Sequence, residues 1–268
     1  MSLKKQNQAV ISFSVLLDVG KYLLLAAVLT WLLIRGTEGL GYHWQWYRVP
    51  QYLFSLENGR LIAGPLLNGV MLTLKITAVS LVLAFAVGLI TALFRLSHSL
   101  VAKIIARGYL EFIRNTPLLV QIFFIYFFLA PVLDISRFTS AVLALSLFEG
   151  AYASEIFRAG IVSVQKEQWE AAYSSGLSTA QTYRFVILPQ AVRWMLPPLT
   201  SQAISLVKDS ALVSTIAIYD LTMQGQAIIA ETFLTFEIWF TVAFIYFLIT
   251  VTLSLAVGLL EHRLRIPV

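Results

Sequence analysis

The sequence predicts an all-α fold, a polytopic membrane helical bundle of about six transmembrane helices. Three observations carry this. The chain of 268 residues is 59% hydrophobic, with a mean hydropathy of +0.81. Only 12% of its residues are charged, about half the ~25% of a soluble domain. Three runs, 76–94, 115–133 and 238–260, contain no charged residue, and a helix of ~20 apolar residues crosses the ~30 Å hydrocarbon core. That composition excludes a disordered chain and nearly excludes a water-soluble one.

Residues 10–34 form the first expected span, interrupted by Asp18 and Lys21, which share the i,i+3 spacing of an anchoring pair. No small-residue cleavage site follows it, so it reads as an uncleaved helix rather than a signal peptide. Residues 36–65 are polar and aromatic, with Tyr42, Trp44, Trp46, Tyr47 and Tyr52. Trp and Tyr gather at headgroup level, so this is an interfacial loop, with room for a short surface helix.

The second span covers 66–94, and the basic stretch 95–114 follows. The third, 115–133, has Pro117 near its start and Pro131 near its end. Pro117 reads as a helix start or as a hinge. The fourth, 139–164, contains Glu149, Glu155 and Arg158, the last two spaced for a local salt bridge. Residues 165–193 are polar and helical in character. The fifth span, 194–219, holds Pro197-Pro198, Lys208 and Asp209. A loop without basic residues, 220–237, leads to the final span, 238–260.

Orientation follows from basic residues in short loops. With the N-terminus in the cytoplasm, the inner side holds twelve: Lys4, Lys5, Arg95, Lys103, Arg107, Arg114, Arg158, Lys166, Arg184, Arg193, Arg263 and Arg265. The outer side holds four, Arg35, Arg48, Arg60 and Arg137. Both termini are therefore expected in the cytoplasm, and 165–193 is the largest cytoplasmic loop. The +5 charge and pI near 9.5 report this asymmetry rather than nucleic-acid binding. Cysteine is absent and the three histidines are isolated, so no disulfide framework, metal site or thiol nucleophile is expected. No phosphate loop, dinucleotide fingerprint, zinc-protease motif or nucleophile elbow is legible. The chain is not expected to be an enzyme, and energy for any work must come from a partner.

Within 165–193, residues 165–175 are a good helix sequence. Gly176 suits a left-handed helix end. Ser178 suits the N-cap of a second short helix, which Pro189 ends or interrupts. A rigid helix–Gly–helix elbow results, and its apolar residues need a partner to pack on.

This run resembles the E-A-A-x3-G-x9-I-x-L-P signature of membrane subunits of binding-protein-dependent ABC importers. Glu170, Ala171, Ala172, Gly176, Leu188 and Pro189 match, and Val186 replaces the usual Ile. Further stretches, 68–77, 109–121, 149–161 and Lys208-Asp209-Ser210, resemble the polar amino-acid branch of that family, and the ending 261–267 resembles its glutamate/aspartate permeases. The resemblance implies a type I ABC importer permease fold over 66–268, with the elbow at 165–193 and an N-terminal segment, 1–65, outside it. It implies the bacterial inner membrane as location and an amino acid as substrate. It also implies an ATPase dimer docking on the elbow, a second permease copy or paralogue, and an external solute-binding protein. No cofactor is expected in this chain, since ATP and Mg would be bound by the ATPase.

Charges deep in a bilayer cost ~2.5–3.5 kcal/mol and usually face a cavity or a partner. Lys75, Glu149 and Lys208 fall in the central region of their spans, and Asp209 and Ser210 follow Lys208 directly. They are candidates for a polar solute path. The alternative is interhelical pairing: Lys75 or Lys208 with Glu149, or with Asp209 of another subunit. Lys208 and Asp209, adjacent on a helix, point ~100° apart and cannot easily pair. These same charges would suit a stand-alone ion-coupled secondary transporter, but no internal repeat or matched pair of broken helices is visible, and the elbow would then have no purpose.

Overall fold

The computed structural model describes residues 18–32, 35–36, 42–57 and 60–264. Lys4, Lys5 and Arg265 of the orientation count, and the start of the first expected span, lie outside the described residues. Helix α1 spans residues 18–32, and Lys21 Nζ lies 3.2 Å from Asp18 Oδ1. The same compact unit runs to Trp46, whose ring stacks on Trp44 at 5.9 Å.

From Tyr47 onward the chain forms the second unit. It opens with a short helix, α2 (Pro50–Leu53), and a two-stranded antiparallel hairpin, β1 (Phe54–Glu57) with β2 (Arg60–Ala63), in the register Phe54 opposite Ala63. The loop expectation for 36–65 included a surface helix but not the hairpin. Gly64 then donates its N–H to Leu53 O at 2.8 Å. A Cβ there would stand 2.5 Å from Tyr52 O, so only glycine allows the chain to turn into helix α3 (Pro65–Leu96).

Ser99 caps helix α4 (Leu100–Arg114), its Oγ accepting the Ala102 N–H at 3.3 Å. The basic stretch after the second span is thus an amphipathic helix. Ala106, Leu110 and Ile113 face the protein and Val101, Ile105 and Phe112 are exposed. The chain then bends by 107° into α5 (Leu118–Phe123), a π-helical turn (Phe124–Leu129) and α6 (Ala130–Leu133). Pro117 is the N-cap of α5, so it starts a helix. Pro131 sits just inside α6, where the preceding π turn accommodates its missing N–H.

Helix α7 (Arg137–Val162) packs along α3 through small residues at four-residue spacing. Ser80, Ala84 and Gly88 face Ser146, Gly150 and Ser154, and all six are buried. A Cβ on Gly88 would lie 2.9 Å from Ala153 Cβ and 3.0 Å from Gly150 O. Ser146 Oγ donates to Ser80 O at 3.2 Å. Between helices in lipid, such close backbone approach supplies the dispersion contact that a hydrophobic driving force supplies in water.

Helices α8 (Lys166–Ser174) and α9 (Thr179–Thr182) precede a π turn (Tyr183–Ile187) and α10 (Leu188–Asp209), which continues as a 3₁₀ segment (Ser210–Ile216). Helix α11 (Leu221–Thr232) occupies most of what reads in sequence as the 220–237 loop, and α12 (Thr235–Leu264) closes the chain. Asp220 makes the difference: its Oδ1 accepts the Met223 N–H at 2.9 Å, capping α11. The Leu221 N–H also reaches Thr73 Oγ1 of α3 at 3.1 Å.

Each of the six expected spans contains a helix. By length and apolarity alone, α3, α7 and α12 suffice to cross a membrane, and α4 with α5–α6 adds a fourth if that bent pair is one span. Helix α10 is less apolar, with Gln190, Arg193, Pro197, Pro198 and Gln202 along its length and Lys208 and Asp209 at its end.

Candidate functional site

The elbow is built by two local devices. Helix α8 ends in a left-handed glycine, Gly176, at φ 78°. The Gly176 N–H bonds to Tyr173 O at 3.0 Å and the Leu177 N–H to Ala172 O at 3.2 Å, the paired bonds of a Schellman ending. Two residues on, Ser178 forms a capping box: its Oγ accepts the Gln181 N–H at 3.4 Å, and Gln181 Oε1 accepts the Ser178 N–H at 2.9 Å. Stop and start signals separated by Leu177 alone fix the angle between α8 and α9.

The elbow is also tied to its neck. Trp169 and Tyr183 meet edge to face at 5.1 Å, and Gln190 Nε2 donates to Gln168 Oε1 at 3.3 Å. Partial burial, with Tyr173 alongside, raises the Tyr183 hydroxyl pKa. Both rings pack against a core of Ile161, Val164, Ile187, Ala191 and Met195. Of the matched residues, Ala172 is buried, whereas Glu170, Ala171 and Gly176 are exposed on the elbow. Lys166 Nζ pairs with Glu170 Oε1 at 3.0 Å across one exposed turn. Leu188 and Pro189 sit apart, exposed at the neck where α10 begins. Pro189 does not end the second helix. It falls in the first turn of α10, directly after a π turn, where its missing N–H costs nothing. The helix therefore runs on unbroken.

The candidate solute-path residues divide into two groups. Glu149, on α7, is buried and receives a hydrogen bond from Gln202 Nε2 of α10. Its other oxygen, Oε1, is buried without a hydrogen-bond partner among the described residues, and the Asp209 carboxyl of α10 lies beside it. Ser210 is buried, its hydroxyl donating to Val207 O at 2.8 Å. Lys75 and Lys208 are exposed, and Lys75 Nζ lies 5.5 Å from the Phe138 ring. The lysine–Glu149 pairing weighed from sequence is replaced by a Gln202 contact, because α10 presents its amide rather than Lys208 to α7. Converging acceptor oxygens of this kind can receive N–H donors from a cationic group.

Glu155 binds more than Arg158. Arg158 Nη2 stands at 3.4 Å, but Arg95 Nη1 from the end of α3 is closer at 2.7 Å and Arg114 Nη1 from α4 lies at 3.2 Å. Sequence gave no signal for Gln202, Arg95 or Arg114 as partners, since each is more than forty residues from the acid it meets.

The model of the family described as "Binding-protein-dependent transport system inner membrane component" matches residues 84–266, elbow included. The chain belongs to this family. The family membership accounts for the apolar helices as those of a multi-pass inner-membrane component. The glutamine transport system permease protein GlnP of Escherichia coli K12 is 41% identical over 204 residues, 75% of this chain and 93% of that protein. The L-cystine transport system permease protein TcyB of Bacillus subtilis is 43% identical over 204 residues, 75% and 87% respectively. A crystal structure of an amino acid ABC transporter with histidines superposes at TM-score 0.69 with 40% identity, covering 74% of this chain and 94% of that one. The inward-facing MetNI methionine ABC transporter shares the fold at TM-score 0.65 and 18% identity, over 75% of this chain and 96% of that one. The type I importer permease fold implied by the sequence resemblance is the fold found.

Proposed function

We propose that this family member is the permease subunit of an ATP-driven amino-acid importer and works with a second permease, a copy or a paralogue. In this reading an ATPase dimer docks on the two elbows. ATP and Mg are bound by that dimer, not by this chain. An external binding protein delivers the amino acid. The observation that carries the reading is the elbow: a Schellman ending and a capping box hold α8 at a fixed angle, with Glu170 and Ala171 exposed on it. A stiff, exposed, signature-bearing lever suits a partner that pushes on it. The names of the relatives support the substrate class. The permease domain is taken as 66–268, and the basic-residue bias supports an arrangement with both termini and the elbow in the cytoplasm. The cluster of Glu149, Gln202, Asp209 and Ser210 would line the solute path, where an α-ammonium group exchanges its hydration for fixed acceptors.

Uptake of radiolabelled amino acids by cells carrying Gly176→Pro or Glu170→Lys tests the coupling role. Both variants are expected to insert normally and lose most uptake. Wild-type uptake in either overturns it. Electrogenic flux through the purified chain in proteoliposomes, without ATP or partners, would favour an ion-coupled carrier instead.

A further inference from the structure

We propose that the cavity between the end of α3, the polar face of α4 and the end of α7 binds the phosphodiester headgroup of an anionic phospholipid. The cavity encloses about 500 Å³. Five cationic side chains line it, Arg95, Lys103, Arg107, Arg114 and Arg158, against the two carboxylates Glu111 and Glu155. Glu155 is engaged by three of the arginines, and Glu111 accepts from Asn115 at 3.0 Å. Lys103 and Arg107, one turn apart on α4, have no ion-pair partner among the described residues. The Arg158 Nε is buried with no hydrogen-bond acceptor among them. The site thus keeps an excess of positive charge and an unused donor, and guanidinium groups bind phosphate oxygens in a fixed planar geometry.

The depth and the rim decide which phosphate. Arg95 directly follows the charge-free run 76–94, and Glu155 and Arg158 lie in the last turns of α7. The cavity therefore sits where two spanning helices reach the headgroup layer. Leu100 and Ile104 line the same cavity and are 71% and 61% exposed, and the neighbouring apolar face of α4 is exposed as well. Acyl chains would cover these side chains. A free phosphate or an acidic protein segment would leave them in water. Basic pockets between spanning helices are a recurrent setting for anionic lipid headgroups.

Native mass spectrometry of the full chain in detergent, titrated with phosphatidylglycerol, phosphatidylcholine or inorganic phosphate, tests this. Because binding is read without transport, its result stands apart from that of the uptake experiment. Wild type is expected to retain phosphatidylglycerol in preference to phosphatidylcholine. The double variant Lys103→Gln/Arg107→Gln should bind phosphatidylglycerol about thirtyfold more weakly, about fivefold per charge, while Arg60→Gln on the hairpin changes nothing. Equal retention of the two lipids by wild type, or unchanged binding by a folded double variant, overturns the proposal. Displacement of phosphatidylglycerol by equimolar inorganic phosphate overturns the lipid assignment in favour of a soluble anion. Should the double variant not fold, the wild-type lipid comparison decides by itself.

Discussion

Gly176 shows how one residue fixes a lever. Open space surrounds its Cα, so a Cβ would clash with nothing; the constraint is purely its φ of 78°. An alanine there pays the left-handed penalty of about 1–2 kcal/mol. Gly176→Ala is expected to lower the hydrogen-exchange protection of the amides around 170–182 by that amount while leaving α3 and α7 unchanged. Phe233 is the converse: it holds φ 59° at the end of α11 without being glycine and is fully open to its surroundings at 79% exposure. Phe233→Gly should therefore raise the detergent melting temperature, by relief of about 1 kcal/mol. Glu155 gathers three arginines, but it is 30% exposed, so solvent screens each pair. Glu155→Ala is expected to cost about 1–3 kcal/mol of stability, mostly as repulsion among guanidinium groups left without their acceptor. The Glu155–Arg158 contact is legible as an i,i+3 spacing. The shorter contact to Arg95 is not, because nothing local marks which distant cation reaches the same carboxylate.

At the scale of elements, the α3–α7 pair is the tightest joint. Gly88 and Gly150 allow their helices to approach until backbone meets backbone, with a Cβ on Gly150 lying 3.2 Å from Ala84 O. Neither helix can shift without breaking the Ser146–Ser80 bond. Gly150→Leu is expected to wedge the pair apart and lower stability by about 1–3 kcal/mol or more, read as a lower melting temperature of the detergent-solubilised chain. The helices themselves were legible from apolar runs. Helix α4 was hidden because charge was read as loop, although its charges recur at helical spacing. Helix α11 was hidden for a similar reason: a short polar segment offers little periodicity, and its cap, Asp220, gains meaning only beside Thr73 and Gly69 of α3. Pro189 misled in the other direction, since a proline ends a helix only where an N–H was needed, and a π turn removes that need.

For the molecule as a whole, Asp220 joins three helices, capping α11 and accepting from the Tyr246 hydroxyl of α12 at 3.4 Å while its neighbour Leu221 bonds to α3. Burial pushes its carboxyl up to about 6, against bonds from the Met223 and Thr222 N–H groups and Tyr246 that pull it down. The folded value lies above the ordinary 3.8. The folded chain thus holds the proton more tightly, and this group's contribution is full below 3.8, falls as pH rises to about 6 and is flat beyond. The melting temperature should drop between those two pH values, and Asp220→Asn, which preserves the cap, should remove that slope. The sequence by itself determined the membrane class, a helix within each of six spans and both turns of the elbow. Each rests on local quantities: hydropathy summed over a run, a glycine's freedom at positive φ, and a serine's capacity to cap a helix. Only the tertiary structure decided that Gln202 rather than a lysine meets Glu149, that Arg95 is the nearest cation to Glu155, and that a loop is a capped helix. Those contacts join residues far apart in the chain, and their partners are chosen by helix packing, which no short stretch of sequence encodes.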